Sequence, residues 1–110
     1  MIQNNGMFDI TIITEIISSG DIQWQKHALQ RMMERGISRA EVKKSIVSGM
    51  IIESYMDDKP HPSALIACVG EDKAIHVVVA VDVEDKTCYI ITAYIPDTSY
   101  FEDDFMTRRP

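Results

Sequence analysis

An α+β fold, with helices first and an antiparallel sheet second, is what this sequence predicts. Three observations carry it. Apolar residues recur with helical period as far as Gly49, and beyond Gly49 the runs become β-branched and aromatic. The polar turns between the last of those runs are also short enough to demand antiparallel hairpins. A chain of 110 residues has room for one core, so a single domain over 1–110 is expected. Its 45% hydrophobic and 25% charged residues, with five glycines and four prolines, suit an ordinary globular protein rather than a disordered or fibrous one.

Phe8, Ile12, Ile13, Ile16 and Ile17 predict an amphipathic first helix over about 7–19, ended by Ser18-Ser19-Gly20. Ile22 to Gln25 reads as a short extended entry. Ala28, Leu29, Met32 and Met33 form the apolar stripe of a second helix, which Gly36 ends. Ser38-Arg39-Ala40-Glu41 has capping-box spacing, with Ile37 placed to staple against Val42, so a third helix starts at Ser38. It runs through Ile46 and Val47 to Gly49, read as a left-handed cap. Four strands follow at Met50–Tyr55, Ser63–Val69, Ala74–Val83 and Thr87–Ile95, the last three as an antiparallel meander. Pro60 and Pro62 cannot donate to a ladder, which keeps residues 57–62 outside the sheet. In the tail, 98–110, Tyr100, Phe101, Phe105 and Met106 are apolar enough to dock as a short helix. The acid run Glu102-Asp103-Asp104 and the final Arg108-Arg109-Pro110 point instead to fraying.

The net charge of −6 argues against a protein that coats nucleic acid with its whole surface. The charges are unevenly spread, however. Residues 26–49 hold six cations against two acids, and residues 50–97 hold nine acids against three lysines. A basic helical segment can meet a phosphate backbone locally, or simply be a solvated face. The longest apolar run, Ala74 to Val81, is broken by His76 and is far short of a membrane-spanning helix. The opening Met-Ile-Gln-Asn-Asn-Gly lacks the features of a secretory signal, so a cytoplasmic protein is expected. Cys68 and Cys88 are too few and too distant for a disulfide framework and read as small core hydrophobes.

Spacing of four places His27, Arg31 and Arg35 on one helical face, opposite the Met and Leu stripe. Such a row suits a phosphate, with the imidazole available for proton transfer, and it equally suits an ion-paired polar surface. His76 interrupts an apolar strand and needs a partner there. With short turns on either side, Ala67 and Ala93 lie across from it, leaving room for a packed helix or a pocket. Lys59 is a loop cation, either a phosphate ligand or a solvated turn residue. Tyr94 ends the last strand beside Pro96 and acts through its hydroxyl or packs its ring. His27, His61 and His76 include no pair at metal-ligand spacing, so neither a metal nor another cofactor is expected.

The ordered series His27-Ala28-Leu29-Gln30-Arg31-Met32-Met33-Glu34-Arg35-Gly36-Ile37-Ser38, Gly49 to Tyr55, Asp58-Lys59-Pro60, His76-Val77-Val78-Val79 and Ile91 to Pro96 resembles a prokaryotic family, domain of unknown function 4258. The resemblance covers about 22–97. Members look like the small RelE/ParE and MqsR type toxins in size and in their helices preceding a curled antiparallel sheet. Their genes often lie beside one for a zinc-finger, helix-turn-helix antitoxin-like protein. The resemblance therefore implies a toxin of a toxin–antitoxin pair, with an antitoxin and RNA as partners, and a one-sided sheet leaves a homodimer open. A metal-independent ribonuclease would drive a ribose 2′-OH onto the adjacent phosphate. For that chemistry Arg31, Arg35 and Lys59 are assigned to the phosphate, His27 or His76 to proton transfer, and Tyr94 to orienting the substrate. A toxin fold that blocks its target without cleavage, and a non-catalytic protein-interaction module, are the alternatives.

Overall fold

The computed structural model describes residues 9–70, 73–97, 99, 102 and 104–107. The elements run α1 (Ile10–Ser19), β1 (Asp21–Trp24), α2 (Lys26–Arg35), α3 (Arg39–Ser48), β2 (Met50–Tyr55), β3 (Ser63–Val69), β4 (Ala74–Asp82) and β5 (Thr87–Tyr94). Among the described residues no helix is long and apolar enough to cross a membrane.

The helix boundaries follow local chemistry. Asp9 caps α1 by accepting from the Thr11 N–H at 2.9 Å. Phe8, expected as part of this helix, lies outside the described residues. Gly36 ends α2 at φ 69°, the left-handed geometry expected of it, with its N–H bonded to the carbonyls of the last turn. The predicted capping box is present in both directions: Ser38 Oγ accepts from the Glu41 N–H, and Glu41 Oε1 accepts from the Ser38 N–H, each at 3.0 Å. Gly49 differs from expectation. It has φ −93° and ψ −170°, which is extended backbone, so it is not a left-handed cap. Its role is steric: a Cβ there would sit 2.4 Å from the Ser45 carbonyl oxygen and 2.6 Å from that of Ala67.

Among the described residues the sheet has five strands rather than four, in the order β1-β5-β4-β3-β2, and it is mixed. The segment expected as an extended entry is the fifth strand, with Asp21–Trp24 parallel to Thr87–Ile90. A four-residue strand whose partner lies more than sixty residues away has no local signature, because the pairing is made only by the tertiary fold. β2 to β5 form the antiparallel meander, with Ala67 opposite His76 as predicted. A β-bulge changes the other side. Val79 pairs with Ile90 and Val78 with Thr92, so Ile91 is the extra residue and His76 faces Tyr94 instead of Ala93.

All three helices cover one face. Ile13, Ile16, Met32, Val42 and Ile46 meet Ile66, Val77, Val79, Val81, Cys88, Ile90 and Ala93 in a continuous apolar core. Full burial of each large aliphatic side chain is worth roughly 1.5–3 kcal/mol. By strand alternation the opposite face carries Ser63, Leu65 and Ala67 of β3 with His76, Val78 and Ala80 of β4. Among the described residues no helix lies on that face. It is met by the β2–β3 loop at one end and by the C-terminal segment at the other. Among the described residues that segment forms a turn, not the short helix considered from sequence, and Tyr100, Phe101 and Arg108–Pro110 lie outside the described residues.

Candidate functional site

The helix-free face holds a cleft of about 390 Å³. Val78 and Ala80 of β4 form its floor, and Tyr89 and Ile91 of β5 form one wall. The β2–β3 loop supplies Lys59 and His61 to its rim, and Gln25 closes the β5 side. The loop leaves β2 through a turn in which the Asp58 N–H donates to the Tyr55 carbonyl at 3.2 Å, and Lys59–Pro60 is a cis peptide. Ser63 Oγ donates to Asp58 Oδ2 at 2.5 Å, and the Val81 N–H donates to the Pro62 carbonyl at 2.9 Å. The loop is thereby pinned to β3 and β4. Pinning brings the His61 ring parallel to Tyr89, with centroids 5.5 Å apart, and puts its Nε2 3.8 Å from Asp82 Oδ2. An imidazole held between an aromatic ring and a carboxylate, with 29% of its side chain still exposed, can exchange protons with a bound molecule. Lys59 is exposed and supplies positive charge at the rim.

His76 lies farther along the same face, two residues from Val78 on β4, and is completely buried. Its Nε2 is 2.5 Å from the Phe105 carbonyl oxygen, which can only accept, so Nε2 carries the proton. In the neutral ring Nδ1 then accepts from the Tyr94 hydroxyl at 3.2 Å, with the two rings edge to face. Tyr94 reaches this position because of the bulge. In an unbroken strand it would share the helix-facing side of Cys88 and Ile90, and the extra residue at Ile91 turns it over.

His27, Arg31 and Arg35 do line the exposed side of α2, opposite Ala28 and Met32. Arg31 pairs with Glu34 at 3.5 Å. Arg35 donates to the Ala93 carbonyl at 2.8 Å and spans from the helix end to β5. α2 packs on the helix-bearing face, so His27 and His76 belong to opposite layers and are not brought together. Of the sequence-selected residues, His76 and Tyr94 meet directly, and Lys59 shares their face. Sequence spacing alone does not point to His61, Tyr89 or Gln25 as site residues. The one sequence signal for His61 is its place between Pro60 and Pro62, where restricted backbone fixes its direction.

Among the described residues no three His, Cys, Asp or Glu side chains converge to hold a metal ion. Cys88 is buried beneath the helices, and burial pushes its thiol up to about 11. No curated protein matches the chain. Residues 24–95 match the model of a protein family described as a domain of unknown function, DUF4258. The matched span runs from the last residue of β1 to just beyond β5 and contains the whole cleft together with His76 and Tyr94, so the chain belongs to that family.

Proposed function

We propose that this protein is the toxin of a prokaryotic toxin–antitoxin pair and that it acts on single-stranded RNA through the cleft on its helix-free sheet face. One observation carries the reading: a lysine, an imidazole paired with a carboxylate, and an aromatic wall converge around a cleft with an apolar floor. A base enters against Tyr89 and the Val78–Ala80 floor, Gln25 offers its amide to the base edge, and Lys59 takes the phosphate. The reaction this set suits is metal-independent. His61, held by Asp82, accepts the ribose 2′-OH proton as the 2′ oxygen bonds to phosphorus. The P–O5′ bond breaks, and the 5′ oxygen takes a proton from solvent, leaving a 2′,3′-cyclic phosphate and a 5′-OH end. The size and element order of the family, which resemble those of RelE/ParE and MqsR type toxins, support the same reading.

The helical layer supports a separate contact with an acidic antitoxin segment. Arg31 of α2 and Lys43 and Lys44 of α3 are exposed on that layer, as is Met33, which is 81% accessible. RNA binding tests the main reading, with fluorescence anisotropy of a labelled single-stranded RNA at several salt concentrations. Lys59→Ala should weaken binding and flatten the log–log salt dependence by about 0.7, the slope lost with one single-strand phosphate contact. His61→Ala should retain binding but abolish new RNA ends and growth arrest on induced expression. Intact RNA and normal growth with soluble wild-type protein would sink the ribonuclease assignment.

A further inference from the structure

The carbonyl of Phe105 occupies the position on His76 where an acceptor oxygen of a ligand would bind. Phe105 lies ten residues beyond the end of the family match at 95, so the group that closes over His76 comes from outside the shared domain. It is presented by a hydrogen-bonded turn. Asp104 Oδ1 accepts from the N–H groups of Met106 and Thr107, both at 2.9 Å, and Asp104 Oδ2 accepts from Thr107 Oγ1 at 2.8 Å. The Glu102 N–H donates to the Thr107 carbonyl at 2.7 Å, and the Phe105 N–H to that of Glu102 at 2.8 Å. Phe105 itself stands at φ 59°, a conformation that a side chain of its size adopts at a cost.

The turn carries hydrogen bonds of its own in addition to the one it makes to His76. Every described residue after Pro96 is exposed or half-buried. It nevertheless covers a histidine with no exposure at all. His76 and the cleft-floor residue Val78 point the same way from one strand, about 7 Å apart at the usual rise for two residues. Beside the cleft floor, His76 and Tyr94 make a second polar position on the same face, with the Phe105 carbonyl set against it.

We infer that the turn formed by Glu102 and Asp104–Thr107 is a displaceable strap, and that under it His76 and Tyr94 form a second subsite for the nucleotide adjoining the one held in the Lys59–His61 cleft. The ligand named here rests on the RNA reading above, whereas the strap itself does not. In the strapped state the Phe105 carbonyl satisfies the His76 N–H. In the open state a phosphoryl oxygen or base carbonyl of RNA takes that bond, and the Tyr94 hydroxyl stays on Nδ1. The strap and the ligand therefore compete.

The test uses the full chain and two variants, Asp104→Ala and Asp104→Ala/Thr107→Ala, which remove the side-chain bonds of the turn and leave the sheet untouched. Diethyl pyrocarbonate modification is followed peptide by peptide, with exposed His27 as the internal reference. His76 should be protected in the wild type and modified roughly tenfold faster in the variants, the factor that 1.4 kcal/mol of loosening corresponds to. RNA affinity should rise in the same order, and Tyr94→Phe in the loosened background should reverse the gain. Equal protection of His76 in all three proteins overturns the strap. Faster modification with unchanged RNA affinity overturns the subsite. If Lys59→Ala and wild type fail alike to bind RNA, the reading of the cleft fails and the subsite's ligand with it, while His76 reactivity still decides whether the strap opens.

Discussion

Replacing Gly49 by alanine asks what a glycine is for when its backbone is ordinary. At φ −93° any residue is allowed, so conformational strain predicts a harmless substitution. The surroundings predict otherwise. The added Cβ would lie 2.4 Å from the Ser45 carbonyl oxygen, 2.6 Å from the Ala67 carbonyl oxygen and 3.0 Å from Ile66 Cγ2. Two of these atoms are backbone, one in the last turns of α3 and one in β3, and Ile66 is fully buried. None can swing aside as a flexible side chain would, so the α3–β2 junction must lift from β3. Overpacking of this kind costs about 3 kcal/mol, the upper part of its usual range. In a domain of this size that lowers Tm by roughly 13 °C.

Gly36 is the control, since it has φ 69° and, among the described residues, nothing within 4 Å of where a Cβ would sit. Alanine there should cost about 1–2 kcal/mol, and asparagine less, because its side chain tolerates the left-handed region. At Gly49 asparagine should be no better than alanine, since the fault is volume and not backbone angle. Urea unfolding followed by circular dichroism measures all four variants. Gly49→Ala within about 1 kcal/mol of wild type, or rescued by asparagine, would refute the close-approach argument.

Other outcomes follow from the same geometry. Ser38→Ala removes the α3 cap and should cost about 1 kcal/mol in urea unfolding. The Glu41 carboxyl is held below its ordinary value by the Lys73 ammonium 2.8 Å away and then by the Ser38 N–H. A lowered folded-state value means stability that is present above the unfolded glutamate range and lost as pH falls through the folded one. Glu41→Gln should therefore flatten the acid limb of the urea midpoint against pH. Cys88, pushed up to about 11 by burial, should resist alkylation in the native state and react only on unfolding, while half-buried Cys68 reacts first. Because Cys88 ionises more readily in the unfolded chain, its burial should also cost stability as pH rises above about 9, the ordinary thiol value.

How much of the molecule could be read from its sequence divides along the range of the interactions. Gly36 and the Ser38–Glu41 box act within one turn, so the α2–α3 boundary was legible to the residue. The β3–β4–β5 meander was legible because short turns leave one topology. β1 was not, since four residues paired in parallel with residues 87–90 acquire their meaning only after the sheet exists. The bulge at Ile91 is the sharper case. Counting from the β4–β5 turn places Ala93 opposite His76, and the count is correct as far as the Val79–Ile90 pair. One extra residue then sends small Ala93 into the helical core and turns Tyr94 onto the other face, where its hydroxyl meets Nδ1 of His76. An unbulged β5 would put Thr92 into the space opposite Val77 that Ala93 fills at zero exposure, would turn Tyr94 toward the helices opposite Ile75, and would leave His76 without that hydroxyl. Packing and polar satisfaction both favour the slip, yet neither is visible until the helices sit over β5. The cleft is legible only residue by residue for the same reason: Lys59 and His61 come from a loop whose position is set by the Asp58–Ser63 and Val81–Pro62 bonds. A bulge that places a tyrosine hydroxyl on a buried histidine, on the face of the sheet that the helices leave open, has the position expected where sheet irregularity serves a site.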